Sequence, residues 1–397
     1  MIRITEPKDC CGCGACLQTC PRQCITFHTD SEGFEYPEVA EDKCVDCGLC
    51  ERVCPMLNAH EECMPQHVLG AVASDESLLR ESSSGALFRL LATAVIEQGG
   101  MVVAARFDDN QCLVHQCTDN MDDLPAFCGS KYVQSSNHEA FLQVRRHLKD
   151  GRRVLFCGTP CQVAALRNLP FGNDDHLLAV DFICHGVPSP GVWSGYLHHL
   201  MDEHHFQSSD IVSVRFRDKT HGWRKYQLAI TLKNGNVIRI KRKDNVYQQA
   251  FDESLTLRPS CYSCRARRGR SHSDITLGDF WDINYVRPEL DHNTGFSLVL
   301  CNTPKGFDCL PKEGIRSFET PLQSALAHNP AFLSTSTPCH PRRAEFFKSW
   351  QEGQNNTAAL LKQSLSQPLP VRIKRRIDEW KYSIKLLVLP YLKKLKK

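Results

Sequence analysis

The sequence predicts a protein of class α+β / α/β in two parts: a small, cysteine-rich N-terminal domain and a larger mixed α/β region. Three observations predict it. Eleven of the 22 cysteines fall within residues 10–63. From Val68 onward, strand-like and helix-like segments alternate, the pattern of layered α/β folds. Asn234-Gly235 lies between two alternating apolar runs, a strong hairpin signal, so the sheet is expected to be mixed.

The elements follow in order. Val68–Ala73 reads as a strand. Ser84 opens a helix carrying Leu87, Leu90, Leu91, Ala94 and Val95, and Gly99-Gly100 stops it. Met101–Phe107 is the next strand. A helix over Glu139–Leu148, a strand over Arg153–Phe156, a helix over Cys161–Leu169, a strand over His176–Ile183 and a helix over Val192–Phe206 continue the alternation. Tyr226–Leu232 and Val237–Lys241 form the hairpin, and Asp274–Phe280 and Ser297–Asn302 are further strands. The pattern weakens beyond about Pro304. Expected divisions are residues 1–62, 66–150, 151–310, an irregular extension and linker over 311–370, and a helical tail over 371–397.

The chain has 397 residues, 42% of them hydrophobic and 23% charged, the balance of a soluble globular protein. It is too long for a small disulfide scaffold. No apolar run approaches a membrane span, and the first residues lack the apolar stretch of a secretory leader. Reduced thiols in a cytoplasmic setting are the expectation, and thiols that dense read as metal ligands. Net charge is +3, yet residues 371–397 carry ten Lys/Arg against two Asp/Glu. The body is therefore mildly acidic, and nothing in it suggests nucleic acid.

Two segments share one spacing. Cys10-x2-Cys13-x2-Cys16-x3-Cys20-Pro21 is the first and Cys44-x2-Cys47-x2-Cys50-x3-Cys54-Pro55 the second. This is the bacterial dicluster ferredoxin run, in which short steps wrap three thiolates around one cubane and the fourth Cys reaches the other. Cys10, Cys13, Cys16 and Cys54 are expected to hold one 4Fe–4S cluster, and Cys44, Cys47, Cys50 and Cys20 the second. Two zinc sites are the alternative, disfavoured by two full runs each ending in Pro. Cys11 and Cys24 lie off-register and read as bystanders.

Cys261-x2-Cys264 is half a site. Cys161 follows one predicted parallel strand at a helix N-terminus, and Cys184 ends the next. Parallel strands present their C-terminal ends on one edge, where α/β proteins build sites. Cys161, Cys184, Cys261 and Cys264 are therefore candidates for a third four-Cys site, with Cys157 as rival for one place.

Taken together, these stretches resemble the β-subunit family of coenzyme F-420 (deazaflavin) hydrogenases and dehydrogenases, over roughly residues 1–310. Besides the cysteine runs, the resemblance rests on Glu81-Ser82-Ser83-Ser84-Gly85-Ala86, Gly129-Ser130-Lys131-Tyr132-Val133 and Phe156-Cys157-Gly158-Thr159-Pro160-Cys161-Gln162. It rests also on Ile183-Cys184-His185-Gly186-Val187-Pro188-Ser189-Pro190 and Gly278-Asp279-Phe280-Trp281. It implies a region 66–150 and a region 151–310 as the two parts of the β-subunit body, one FAD, and a 4Fe–4S cluster beside it. The implied chemistry passes electrons from clusters through flavin to an organic hydride acceptor, or back. The closest likeness is to stand-alone bacterial members that carry the same ferredoxin domain and accompany surface-polysaccharide genes. The expected partners are a redox protein and an unidentified small hydride acceptor. A non-catalytic electron-transfer subunit and a degenerate scaffold are the competing readings.

Several other residues are candidates, each with a plainer reading. Ser82, Ser83, Ser84 and Gly85 precede a helix, where free N–H groups suit a pyrophosphate; an ordinary N-cap is the plain reading. Gly158 and Thr159 follow the same logic. Lys131 is a candidate to balance flavin charge, or is a solvated loop lysine. His185 is a candidate proton carrier beside Cys184, or makes a structural hydrogen bond. Asp279 is a candidate to fix a loop over the ring, and Trp281 a core residue.

In the tail, Ile373, Ile377, Trp380, Ile384, Leu387 and Val388 share one helical face, among many Lys and Arg. A basic amphipathic helix of this kind lies on anionic lipid and would give peripheral membrane contact; docking on protein is the alternative. Liposome binding of the full chain should then require anionic lipid and weaken with salt. Deleting residues 371–397 should abolish binding and leave the iron content unchanged. Misfolding of the truncated chain points to a docked helix instead.

Overall fold

The computed structural model describes residues 1–327, 329–353 and 356–366. The predicted tail helix over 371–397 lies outside them. Among the described residues no helix is long and apolar enough to cross a membrane.

In the N-terminal module the strands Ile25–Thr29 (β1) and Glu35–Val39 (β2) form an antiparallel hairpin. Short helices Ala15–Thr19 and Leu49–Arg52 follow the two cysteine loops. The loops are wound alike. Gly12 and Gly14 have φ of 69° and 75°, and Asp46 and Gly48, at the same places in the second run, have 48° and 70°. These left-handed positions turn the chain sharply enough for three successive thiols to face inward. Asp46 tolerates the conformation and pairs with the N-terminal ammonium at 2.6 Å.

Among the described residues the body has eleven strands. They are His67–Ala73 (β3), Met101–Phe107 (β4), Leu113–Thr118 (β5), Val154–Cys157 (β6), Leu177–Phe182 (β7), Ile211–Asp218 (β8), Gln227–Leu232 (β9), Val237–Lys241 (β10), Ile275–Asp279 (β11), Ser297–Cys301 (β12) and Ile315–Glu319 (β13). Eight of them make one mixed sheet in the order β13-β3-β12-β11-β7-β6-β4-β5. The central run β11-β7-β6-β4 is parallel. The flanks are antiparallel. The parallel strands are buried on both faces, so they read as near-continuous apolar runs. Helices Leu87–Glu97, Ala140–Lys149 and Pro160–Arg167 cover the faces.

The predicted mixed sheet is observed, for a different reason than expected. The Asn234-Gly235 hairpin joins β9 to β10 in a separate three-stranded sheet, β10-β9-β8. The strands of the large sheet that run against its parallel centre are β5, β12 and β13, of which the sequence reading missed β5 and β13. The small sheet packs through Phe216 and Ile230 on helix Pro190–His204, where the Trp193 ring lies 4.8 Å from Phe216.

The stretch read as an irregular extension and linker is structured in its described part. β13 completes the edge of the large sheet. Helices Arg343–Gln351 and Thr357–Ser364 bury Phe346, Phe347, Leu360 and Leu361 in the core around helix Pro190–His204. Asn356 caps the second of these through its side chain, a start signal lost amid the surrounding polar residues. Leu361 is wholly buried, so Leu361→Ala should cost about 2–5 kcal/mol. Chemical denaturation would show it as a lower midpoint, whereas a linker leucine would be nearly neutral.

Candidate functional site

The central strands all end on one edge of the sheet. β6 leads there into Cys157-Gly158-Thr159, β7 into Ile183-Cys184-His185, and β11 ends at Asp279. β3 runs the same way, because two antiparallel steps separate it from β11, and it leads toward Ser82–Ser84. Ligand sites of open α/β sheets form outside such strand ends.

A cavity of about 360 Å³ occupies this edge. Ser82, Ser83, Ser84, Lys131, Gly158, Thr159, Asp279, Cys184 and His185 all line it. One pocket thus gathers candidates drawn from several separate stretches of chain, and its volume is that of a cofactor-sized site. A larger cleft of about 700 Å³ continues it past Ser82, Lys131 and Arg217.

The local roles differ from the expectations. The helix expected from Ser84 begins at Leu87 with Ala86 as its left-handed N-cap. Ala86, Leu87 and Phe88 therefore bring the helix start to the cavity. The Ser84 hydroxyl donates to the Phe296 carbonyl at 2.7 Å. Gly85 is not in the lining: its N–H donates to Ser297 Oγ at 2.9 Å, and a Cβ there would lie 2.5 Å from the Ala71 carbonyl. Gly85 is glycine because it packs on the sheet.

Gly158 and Thr159 line the cavity with their N–H groups already engaged. Gly158 donates to Val180 O at 3.1 Å, continuing the strand ladder. Thr159 donates to Gln162 Oε1 at 2.9 Å, part of a capping box. Lys131 is a half-buried clamp rather than a solvated lysine. Its ammonium donates to the carbonyls of Phe127, Cys128 and Gly129 at 3.0, 3.0 and 3.2 Å. Burial lowers its pKa to about 8.

His185 Nε2 lies 2.9 Å from Ser254 Oγ, and burial, then the Arg267 charge, hold its pKa below the usual range. Asp279 Oδ2 accepts from Arg217 Nη1 at 2.6 Å. Trp281 stacks on Trp223 with centroids 4.7 Å apart. Histidines 198, 199, 204 and 205 lie on or just after helix Pro190–His204; His198 is exposed, its Nδ1 2.8 Å from Ser194 O.

Residues not singled out from sequence complete the wall. Arg217 is buried over the Tyr226 and Trp281 rings, and its Nε and Nη2 have no partner. Nothing in its strand's sequence marks it. Asp181 is buried in the wall and accepts from Ser273 Oγ at 2.9 Å. Burial raises its pKa to about 6, against the pull of neighbouring hydroxyls. A lone carboxylate inside the apolar run Leu177–Phe182 was the available signal.

The cysteines gather into three groups. Cys10, Cys13, Cys16 and Cys54 cluster with Cys50 nearby: the Cys16 thiol, pushed up to about 12 by burial, is also opposed by Cys10 and Cys54. Cys20, Cys44, Cys47 and Cys50 line a cavity of about 20 Å³ together with Cys24. Cys24 Sγ stands 3.4 Å from Cys20 Sγ, so it abuts this group and is not remote from it.

Cys161, Cys184, Cys261 and Cys264 form the third group. Burial raises the Cys184 thiol, and Cys261, Cys161 and Cys264 each raise it further. Cys261 Sγ also accepts from Val187 N at 3.4 Å. Cys157 stands apart, on the cavity side, beside Asp181, Lys131 and Cys128. Cys11 is not a bystander in space: its thiol neighbours that of Cys161, between the first group and the third, and each shifts the other. Among the described residues no three His, Cys, Asp or Glu side chains converge on a single-ion position; a cubane instead spreads its thiolates over four irons.

The module is fastened, not tethered. Gln134 Nε2 donates to Cys11 O at 3.0 Å, Asn137 Nδ2 to Cys13 O at 2.9 Å and Arg258 Nε to Cys10 O at 2.7 Å. Arg265 Nη1 donates to Met56 O at 2.6 Å, and the His60 and His272 rings stack at 4.4 Å.

Residues 151–316 match the family described as the carboxy-terminal region of the beta subunit of coenzyme F-420 hydrogenase/dehydrogenase. Residues 9–58 match the 4Fe-4S dicluster domain. An uncharacterized protein of Methanocaldococcus jannaschii is 23% identical over 314 residues, which cover 70% of this chain and 81% of that one. A 7Fe ferredoxin of Hydrogenibacillus schlegelii is 39% identical over 66 residues, 16% of this chain and 76% of the ferredoxin. A structure of the F-420-reducing nickel–iron hydrogenase complex of Methanosarcina barkeri aligns with a TM-score of 0.43 and 14% identity, covering 76% of this chain and 93% of that one.

The raised carboxyl of Asp181 gives a prediction with a definite sign. The folded chain holds this proton more tightly than the unfolded one, so stability is lost as pH rises from about 4 through about 6. Asp181→Asn keeps the acceptor for Ser273 and carries no charge. It should be more stable than the parent at pH 7, by on the order of 2 kcal/mol, with the gain shrinking toward pH 5. Denaturant midpoints across that range check it; a gain independent of pH removes the carboxylate as the cause.

Proposed function

Since the chain belongs to the coenzyme F-420 hydrogenase/dehydrogenase beta-subunit family and carries two 4Fe–4S clusters in an N-terminal dicluster domain, we propose that it is a flavin-dependent iron–sulfur oxidoreductase. On this reading electrons pass between the two ferredoxin clusters, a third cluster on Cys161, Cys184, Cys261 and Cys264, and an FAD in the sheet-edge cavity. A small organic hydride acceptor, or donor in the reverse direction, completes the route. The surface-polysaccharide setting is the context we propose for that acceptor.

One observation carries the reading. Cys184 and His185 form a wall of the same cavity that Ser82–Ser84, Lys131 and Asp279 line, while the Cys184 thiol interacts with Cys161, Cys261 and Cys264. A four-thiol site and a cofactor-sized cavity share one strand end.

The residues present fit both groups. The four thiols are a complete cubane donor set, and Cys161 adjoins Cys11 of the module. Arg217 offers two buried, unpartnered N–H donors and Asp279 Oδ1 an unpartnered acceptor. Polar ring edges and phosphates of a flavin nucleotide satisfy such groups. A bound flavin supplies the exchange between single electrons and a hydride.

The chain's own residues have definable tasks. Lys131 fixes the loop Phe127–Gly129 by bonding three of its carbonyls. The helix that starts at Leu87 directs its positive end at the cavity, favouring anionic groups. Asp181, at a pKa of about 6, can hold or release a proton inside the cavity near neutral pH. His185 is held by Ser254, and burial keeps its pKa below the usual range. The exposed Cys47, with the exposed Val45 beside it, marks the second ferredoxin site as the face open to a redox partner.

Anaerobically isolated protein should contain about 12 Fe, four per cubane, and close to one FAD per chain. Cys184→Ala should lower iron by about 4 and keep the ferredoxin signals. Cys157→Ala, on the cavity side, should leave iron unchanged. Flavin reduction by an artificial two-electron donor should survive Cys184→Ala, while electron exchange with the ferredoxin clusters slows greatly. About 8 Fe without flavin would reduce the protein to an electron-transfer role, and iron loss from Cys157→Ala in place of Cys161→Ala would reassign that ligand.

A further inference from the structure

Arg258 is among the largest fully buried side chains, 1% exposed. Its guanidinium makes three hydrogen bonds, all to neutral groups: Nε to Cys10 O at 2.7 Å, Nη1 to Gln134 Oε1 at 2.9 Å and Nη2 to Glu35 O at 2.9 Å. The Tyr36 ring lies 4.3 Å beneath it and the Phe34 ring 5.4 Å away. The Glu35 carboxylate is directed elsewhere, to His138 at 3.1 Å. Among the described residues no carboxylate forms an ion pair with Arg258; the groups that favour its charge are Cys10, Tyr36, Cys11 and Cys261.

A buried cation without a counter-charge is unfavourable. Here the missing charge has an obvious source. Cysteines bind iron as thiolates, and the first cysteine loop wraps this guanidinium. The loop is shaped for it: a Cβ on Gly12 would lie 2.8 Å from Arg258 Nη1. In so dry a setting a fixed charge acts strongly. Adding an electron to a cluster makes it more negative, so an adjacent fixed cation favours the reduced form, and net charge and hydrogen bonding are known levers on cluster potential.

We propose that Arg258 is the built-in counter-charge of the Cys10 loop's cluster, a positioning residue that raises that cluster's reduction potential above its value in the same loop without the guanidinium. The cluster nearer the body is thereby made the better electron acceptor of the two in the module, which draws electrons inward from the exposed second site. The proposal rests on the two ferredoxin clusters alone, and needs neither the flavin nor the third cluster.

The test is a potentiometric titration of the full chain, purified anaerobically and followed by electron paramagnetic resonance, after iron content is measured for each variant. Arg258→Gln removes the charge. Gln134→Glu leaves the guanidinium in place and sets a carboxylate against Nη1. Arg258→Lys keeps the charge and loses the fork of donors. Arg258→Gln and Gln134→Glu should each lower the midpoint of one ferredoxin cluster by at least a tenfold change in equilibrium constant, about 59 mV for one electron. The other cluster should stay near its parental value, and Arg258→Lys should move the first by much less. Unchanged midpoints, equal shifts of both clusters, or a shift in Arg258→Lys as large as in Arg258→Gln would each overturn the proposal. If Arg258→Gln fails to retain iron, Gln134→Glu decides alone. Failure of the flavin reading would appear separately, as protein with about 8 Fe and no FAD in which these midpoints can still be measured.

Discussion

Three side chains of the body take hold of three carbonyls of one loop: Arg258 on Cys10, Gln134 on Cys11 and Asn137 on Cys13. The rest of the arrangement depends on that grip. A cysteine loop wound through left-handed positions has few backbone donors and acceptors left for its own ladder, and its buried carbonyls must find partners elsewhere. The body supplies them, and so fixes the loop against the start of helix Pro160–Arg167, where Cys161 meets Cys11. A dicluster module on a flexible linker would reach many positions. This one reaches a single position, because its carbonyls are satisfied only there.

The same accounting explains the sheet edge. Gly158 and Thr159 have used their N–H groups, Lys131 has committed its ammonium to three carbonyls, and Ser84 has committed its hydroxyl. What remains unpaired in the wall is His115 Nδ1 and the Arg217–Asp279 pair, whose Nε, Nη2 and Oδ1 atoms are buried without partners. Buried polar atoms left over in a wall otherwise well satisfied point to the part of the cavity that a ligand completes. Lys219 adds to this: burial, then the Arg217 charge, bring its pKa down to about 7, while its ammonium holds the Ser84 and Thr294 carbonyls.

The legible parts of the molecule were those whose signal is local. Two cysteine runs with Pro after the fourth Cys announce their chemistry in a dozen residues each, and parallel strands such as Leu177–Phe182 announce burial by being apolar almost throughout. Ends of such strands could be paired with Cys161 and Cys184 because parallel topology puts them on one edge. Arg217 and Arg258 were not legible, since a lone arginine in a loop or strand looks the same whether solvated or buried. Gly85 was misread for a related reason. A glycine before a helix suggests ligand approach, but only the fold reveals that the sheet, not a ligand, occupies the space. The helix Thr357–Ser364 was hidden by its polar surroundings, and β5 and β13 by short, partly exposed edge patterns that carry little apolar alternation.

Charge balance ties these observations together. Without iron, burial pushes the thiols of Cys16 and Cys261 up to about 12. Among the described residues no carboxylate forms an ion pair with Arg258 or with the buried Arg267, whose Nη2 donates to the His185 carbonyl at 2.6 Å. Cluster assembly requires the thiolates and expels their protons. In the dicluster domain it thereby supplies the negative charge that Arg258 meets at Cys10. Arg258 is costly to the empty fold and favourable to the filled one. Metal binding and the final packing of the dicluster module are in that sense one equilibrium, and this buried guanidinium is where its terms are set.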